Sequence, residues 1–156
     1  HRAWVNGIDQ YAPRYSESFR LVHNIGTGLL IYGSRDWTDY QVSADVTPHL
    51  VKRSGIALRV QGMKRYYGLL MHRDGVLQIV REYDGTTVLA EIPYPMELYQ
   101  TVQLTFSVEG TKLKGSIDSQ IVIEADDRML SEGAIALVVE EGRTATQAVE
   151  IQPINQ

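Results

Sequence analysis

The sequence predicts an all-β domain, a sandwich or barrel, and three observations carry that prediction. Apolar residues recur at every second position through most of the chain. Glu-Gly, Asp-Gly and Ser-Gly pairs punctuate it roughly every ten residues. Helical periodicity is confined to two short candidates, Trp4–Gln10 and the "DDRML" piece at 126–130, each a turn or two. About a dozen short strands with such spacing describe one β-sandwich or barrel domain over residues 1–156.

The elements follow in order. Phe19–Val22 and Leu29–Tyr32 flank "NIGTG", a Gly-punctuated turn. "YQVSADV" sets Tyr40, Val42, Ala44 and Val46 on one face, and Gln41, Ser43 and Asp45 on the other. "TVQLTFSVEG" buries Val102, Leu104, Phe106 and Val108. "KLKGSID", "QIVIEA", "GAIALVVEEG" and "AVEIQP" supply the remaining strands. Trp37 reads as core or a strand-entry anchor, and Trp4 as a plug at one end. "IPYPMELY" (92–99), with two Pro and two Tyr, reads as an irregular loop able to rim a pocket.

The stretch "SGIALRVQGMKRYYGLLMHRDGVLQIVREYDG" (54–85) predicts its own pairing. A four-residue loop at Gly62–Arg65 faces Val60 with Tyr67, Leu58 with Leu69, and Ile56 with Met71. A loop at Arg73-Asp74-Gly75, with Gly left-handed, faces Met71 with Leu77 and Leu69 with Ile79. Slipping either hairpin by one residue would bury Gln78 or Arg59. By parity Arg59, Gln61, Tyr66 and His72 then share the opposite face. Gly68 is expected to leave room above Arg59, so these four are the candidate ligand-binding residues. Aromatic rings stack on sugar faces, while Arg and Gln supply fixed donors.

The 156 residues are 44% hydrophobic and 22% charged, with no cysteine. Disulfides, thiolate metal sites and a Cys nucleophile are therefore excluded. The chain opens on His1 and enters patterned sequence at once, so it is expected to be a piece of a longer polypeptide. No apolar run is long enough to cross a bilayer as a helix, and no membrane partner is expected. Net charge is -4. Residues 50–81 hold seven Lys/Arg against Asp74, and residues 120–150 hold seven acids against Arg128 and Arg143. The overall acidity argues against nucleic acid as a partner. The basic stretch suits an anionic or polyhydroxylated ligand, or an ordinary solvated face.

Catalytic patterns are sparse. His1, His23, His49 and His72 fall in no H-x-x-x-H or H-E-x-x-H spacing, and there is no G-x-S-x-G elbow. "NIGTGLLIYG" lacks the Lys and following helix of a phosphate loop. Glu140 and Glu141 point to opposite faces of a strand, and Asp126-Asp127 are expected to cap the "RML" turn. No cofactor is implied; loop acids could hold a structural Ca²⁺, although no D-x-D-x-D-G loop is present.

The phrases "GLLIYGSRDWTDYQVSADV", "SGIALRVQGMKRYYGLLM", "VLAEIPY" and "SEGAIALVVEEG" resemble the concanavalin-A-like jelly-roll domain found at the C-terminus of many bacterial ADP-ribosylglycohydrolase-family proteins. The resemblance runs from about Phe19 to Ile151. It is most specific at Gly55, Arg59-Val60-Gln61-Gly62 and Arg65-Tyr66-Tyr67. More distantly, the chain is similar to laminin-G-like carbohydrate-binding modules and to the 3-keto-disaccharide hydrolase family. The resemblance implies a jelly-roll β-sandwich of two antiparallel sheets beside a catalytic domain, without that domain's activity.

Three functions follow as expectations. The first is a non-catalytic accessory module for carbohydrate or an ADP-ribose-like glycoconjugate. The second is a structural domain docked on its own catalytic domain or on another subunit. The third is a sugar-active hydrolase of the 3-keto-disaccharide type. The first two are favoured because no acid–base pair is evident.

Overall fold

A computed structural model describes residues 14–15 and 19–154 of the chain. The strands are β1 (Arg14–Tyr15), β2 (Phe19–Tyr32), β3 (Tyr40–Pro48), β4 (Arg53–Gly62), β5 (Arg65–His72), β6 (Val76–Tyr83), β7 (Thr86–Pro93), β8 (Val102–Glu109), β9 (Lys112–Ile117), β10 (Ile121–Asp126) and β11 (Ala134–Pro153). Their hydrogen-bonded order is β10-β9-β8-β3-β11-β4-β5-β6-β7, with β1 and β2 also on β11. Every pairing is antiparallel.

The long β11 belongs to two layers. Its first part ladders with β4 and its second part with β3. β2 follows along its other side through both layers. The outcome is a jelly-roll sandwich of two antiparallel sheets, as the sequence predicts. The front sheet is β10-β9-β8-β3 with the end of β11. The back sheet is β7-β6-β5-β4 with its beginning.

Period-2 burial explains why these layers close on each other. Val42, Ala44 and Val46 of β3 and Leu104, Phe106 and Val108 of β8 are buried in one cluster with Ile56, Leu58, Tyr67, Leu69, Met71, Leu77 and Ile79 of the back sheet. Trp37 seals one end, edge-on to Tyr40 with ring centroids 5.7 Å apart. At Gly115 of β9 a Cβ would lie 2.5 Å from Leu69 of β5, so the sheets touch across a glycine. A smaller apolar cluster, including Ala57, Val60, Tyr66, Leu70, Val80 and Ala136, is buried on the outer side of the back sheet.

The β5–β6 register is as predicted: Met71 faces Leu77, Leu69 faces Ile79, and Gly75 is left-handed with φ +93°. The β4–β5 register is corrected. Gly62 faces Arg65, but Leu58 faces Tyr67 and Ile56 faces Leu69. Three residues of β4, Arg59 to Gln61, stand opposite Tyr66 alone, and Arg59 has φ +48°. This bulge moves the pairing by two residues. Ile56 and Leu58 therefore keep the core face, while Val60 passes to the outer cluster.

Three further expectations are corrected. "NIGTG" is no turn: β2 runs through it, alongside an irregularity at Glu141 of β11. "GAIALVVEEG" and "AVEIQP" are one strand, bent at Glu141 and Ala148, which have φ +51° and +53°. "DDRML" forms no helix, and Asp127 instead accepts the Met129 N–H at 2.9 Å. The Trp4–Gln10 helical candidate and the Trp4 plug lie outside the described residues.

Leu69 lies fully buried where the sheets meet. Leu69→Ala should lower unfolding free energy by about 2–5 kcal/mol through a cavity that β9 cannot fill. A urea titration reads this directly, and a loss well below that range would mean the sheets are not closely packed at Gly115.

Candidate functional site

The structure separates the four residues expected to share a ligand face. Arg59 is 3% exposed and sits at the end of the sandwich, not on an outer face. Its Nε donates to the Thr38 carbonyl at 3.1 Å. Its Nη1 donates to the carbonyls of Gly110 at 2.8 Å and Leu130 at 2.9 Å, and its Nη2 to Asp39 at 3.0 Å. The expected outward guanidinium is thus corrected: the bulge turns it inward, where loop carbonyls consume its donors.

The gap expected beside Gly68 is also closed. Ala57, not Arg59, faces Gly68, and a Cβ there would already meet Leu70, Val80 and Tyr66 at 3.3–3.4 Å. Gln61 donates its amide to the Glu132 carbonyl at 2.9 Å. The Tyr66 ring is buried in the outer apolar cluster, and burial pushes its phenol up to about 12. It floors a hollow of about 450 Å³ with Met63, Lys64, Glu82 and Asp84. His72 lies at the far end of β5, where its Nδ1 accepts the Asp74 N–H at 3.0 Å.

Arg59 anchors a buried polar knot. Its N–H donates to the Tyr40 hydroxyl at 2.6 Å. That hydroxyl in turn points at the carbonyls of Gly133, 2.8 Å away, and Ala134, 3.0 Å away. Burial raises the Tyr40 phenol and lowers the Arg59 guanidinium, the latter opposed by Tyr40 and Asp39. Gly133 has φ +151°, and a Cβ there would fall 2.3 Å from the Arg59 backbone. Beside the knot, Asp127 accepts from Tyr67 at 2.6 Å, from the Met129 N–H and from Arg81. Burial works to raise the Asp127 carboxyl, but those donors together hold it below the ordinary range. These bonds tie the loops at this end of the sandwich to one another, although the buried Arg81 Nε has no partner of its own.

The open polar surface lies on the front sheet. The residues of β3 and β8 that point away from the core form cross-strand pairs: Gln41 with Ser107, Ser43 with Thr105, and Asp45 with Gln103. Ser116 of β9 stands beside Thr105, and Lys114 beside Ser107. Together with Ser119 and Val122 these side chains, Asp45 excepted, line a trough of about 410 Å³. Ser43 and Thr105 share one hydrogen bond at 3.1 Å, and Ser107 donates to the Lys114 carbonyl at 3.4 Å. A hydroxyl can donate once and accept twice, so each keeps capacity for a ligand. Lys114 is the charged member of the lining. Such a surface is built for neutral groups that both donate and accept.

The signal for this trough was present in "YQVSADV" and "TVQLTFSVEG" as the polar parity of two strands. What was not legible is that β3 pairs with β8 across about sixty intervening residues. Among the described residues no cluster of three or more His, Asp or Glu could hold a metal ion. Asp126 and Asp127 diverge, one towards Lys112 and the other towards Tyr67 and Arg81.

No family model matches the sequence, and no curated protein matches it either. Among solved structures, carbohydrate-binding module CBM66 from Bacillus subtilis superposes with a TM-score of 0.77 at 19% identity, over 88% of this chain and 93% of that one. Toad ovary galectin, in complex with thio-digalactose, gives 0.62 at 12% identity over 81% and 98%. The alginate lyase AlgAT5 gives 0.62 at 12% identity over 86% and 76%. The chain therefore has the jelly-roll fold shared by galectins and this binding module. Since the same layers also carry a lyase, function must be argued from the surface.

Two outcomes follow for the knot. Arg59→Ala should cost about 3–5 kcal/mol in urea unfolding, because several loop carbonyls and Asp39 lose their donor together. An unchanged midpoint would show that the guanidinium is not buried. The lowered Asp127 pKa supplies stability that is complete above the unfolded value of about 3.9 and is lost as pH falls through the folded value. Unfolding midpoints measured against pH should thus drop below about pH 4 in the parent chain, and less steeply in Asp127→Asn.

Proposed function

We propose that this chain is a non-catalytic carbohydrate-binding module whose ligand lies in the front-sheet trough. The observation that carries this reading is the trough's chemistry. Ser43, Gln103, Thr105, Ser107 and Ser116 present neutral groups that both donate and accept, as sugar hydroxyls do. Neutral polar groups also cost less to desolvate than a charged lining would. The fold likeness to a carbohydrate-binding module and a galectin supports the same reading.

The sequence resemblance adds the narrower reading that this module accompanies an ADP-ribosylglycohydrolase-type catalytic domain. On that reading an ADP-ribose-like glycoconjugate is the second candidate ligand. The trough suits a neutral sugar better, since Lys114 is the one charged lining residue to offset a pyrophosphate.

A shallow open site buries little area, so affinity should be weak, with Kd on the order of 0.1–1 mM. The test is a glycan array followed by NMR titration of the chain. Hits should shift the amides of 103–107 and 114–116, and Thr105→Arg should abolish them while leaving the unfolding midpoint in place. Free ADP-ribose should be the weaker ligand. Binding that Thr105→Arg leaves intact, or glycoside turnover by the pure chain that is lost on mutating one carboxylate, would overturn the reading.

A further inference from the structure

Beyond Asp45–Gln103, the outer row of β3 and β8 continues past the trough. Thr47 and Thr101 share a hydrogen bond of 2.6 Å between their hydroxyls. One step further, the rings of His49 and Tyr99 meet with centroids 5.1 Å apart and planes inclined at 31°. The five pairs from Gln41–Ser107 to His49–Tyr99 thus stand in one line. At the strand rise of ~3.3 Å per residue, that line spans about 26 Å, several times the length of one sugar ring.

Tyr99 ends the line as an exposed aromatic that is held in place. It is 63% exposed, yet its N–H donates to the Pro48 carbonyl at 2.6 Å. Its φ is +65°, a conformation that bulky residues rarely adopt. His49 braces one side of the ring, and the His49 N–H is itself tied to the Arg143 carbonyl at 3.0 Å. A ring that is large, apolar, fixed and open to solvent contributes nothing to the core. It is suited to stack on the apolar face of a sugar at little ordering cost.

We infer that Tyr99, braced by His49, is a second sugar subsite, and that the ligand is a neutral linear oligosaccharide lying along β3 and β8 from the trough to this ring. This rests on the carbohydrate reading of the trough and extends it from one sugar to a chain. The hydroxyls of Thr47 and Thr101 bridge the two subsites with neutral donors and acceptors, and Asp45, which stands on the line between the trough and this pair, offers its carboxylate as an acceptor to sugar hydroxyls.

The experiment is calorimetry on the 156-residue chain with linear oligosaccharides of glucose, mannose, galactose and xylose, each from disaccharide to hexasaccharide. In a series that binds, affinity should rise about tenfold with length, the size expected of one ring stack. Tyr99→Gly removes the ring and accepts the left-handed backbone without strain. It should bring the hexasaccharide down to the affinity of the disaccharide, whereas Tyr99→Phe should keep the gain. Affinity independent of length, or a gain that survives Tyr99→Gly, overturns the second subsite and leaves the trough standing. If no probe binds, or if binding survives Thr105→Arg, the trough reading fails and the extended ligand fails with it.

Discussion

The buried guanidinium of Arg59 is the constraint on which one whole end of this sandwich depends. Three connections converge there: the segment before β3, the β8–β9 turn and the segment before β11. Each presents a backbone carbonyl to the same side chain. A carbonyl turned into that space needs a donor, and a cation there needs acceptors. Neither set of groups is tolerable alone, so the loops and the bulge of β4 specify each other. Tyr40 adds a second tie by accepting the Arg59 N–H while its hydroxyl reaches the chain at Gly133 and Ala134.

This knot decides which surface is free for a ligand. It withdraws Arg59 from the outer face of the back sheet, and the same bulge delivers Val60 to that face. There Val60 joins Ala57, Tyr66, Leu70 and Val80 in a buried apolar cluster. The front sheet has the opposite character. Its outward side chains along the trough are mostly hydroxyls and amides, with Lys114 the charged member, and they remain accessible. One sheet thus spends its outer side on packing, while the other keeps a polar, mostly uncharged surface backed by a tightly filled core. Rigidity behind such a surface matters because a weak, shallow site cannot offset much ordering on binding.

The two sheets are also mechanically one. β11 and β2 each run through both layers, and β11 changes partner from β4 to β3 along its length. Left-handed residues at Glu141 and Ala148 mark two of its irregularities. At the first, Gly142 allows the backbone of Leu50 to approach so closely that a Cβ would lie 1.6 Å from its carbonyl oxygen. This approach positions the 49–52 connection, which carries His49 beside Tyr99. The far end of the polar row is therefore set by the strand that joins the layers.

How much of this was legible follows from what each signal depends on. Alternation is local, so the apolar faces of β3, β5, β6 and β8 could be read directly, as could Gly75 in its turn. The β5–β6 register followed because a slip would bury Gln78. The polar row of β3 and β8 was visible as parity, but its partners are brought together only by the strand order. Arg59 could not be placed from pattern, because a bulge with φ above zero breaks the parity on which the argument ran. The carbonyls that stabilise it come from residues 38, 110 and 130, all distant in sequence. Local periodicity by itself determined an all-β sandwich or barrel and most of the residues of its core. Which polar side chains are buried as ties and which remain open as a surface was decided only by tertiary structure, because a buried charge is positioned by partners that sequence neighbours do not supply.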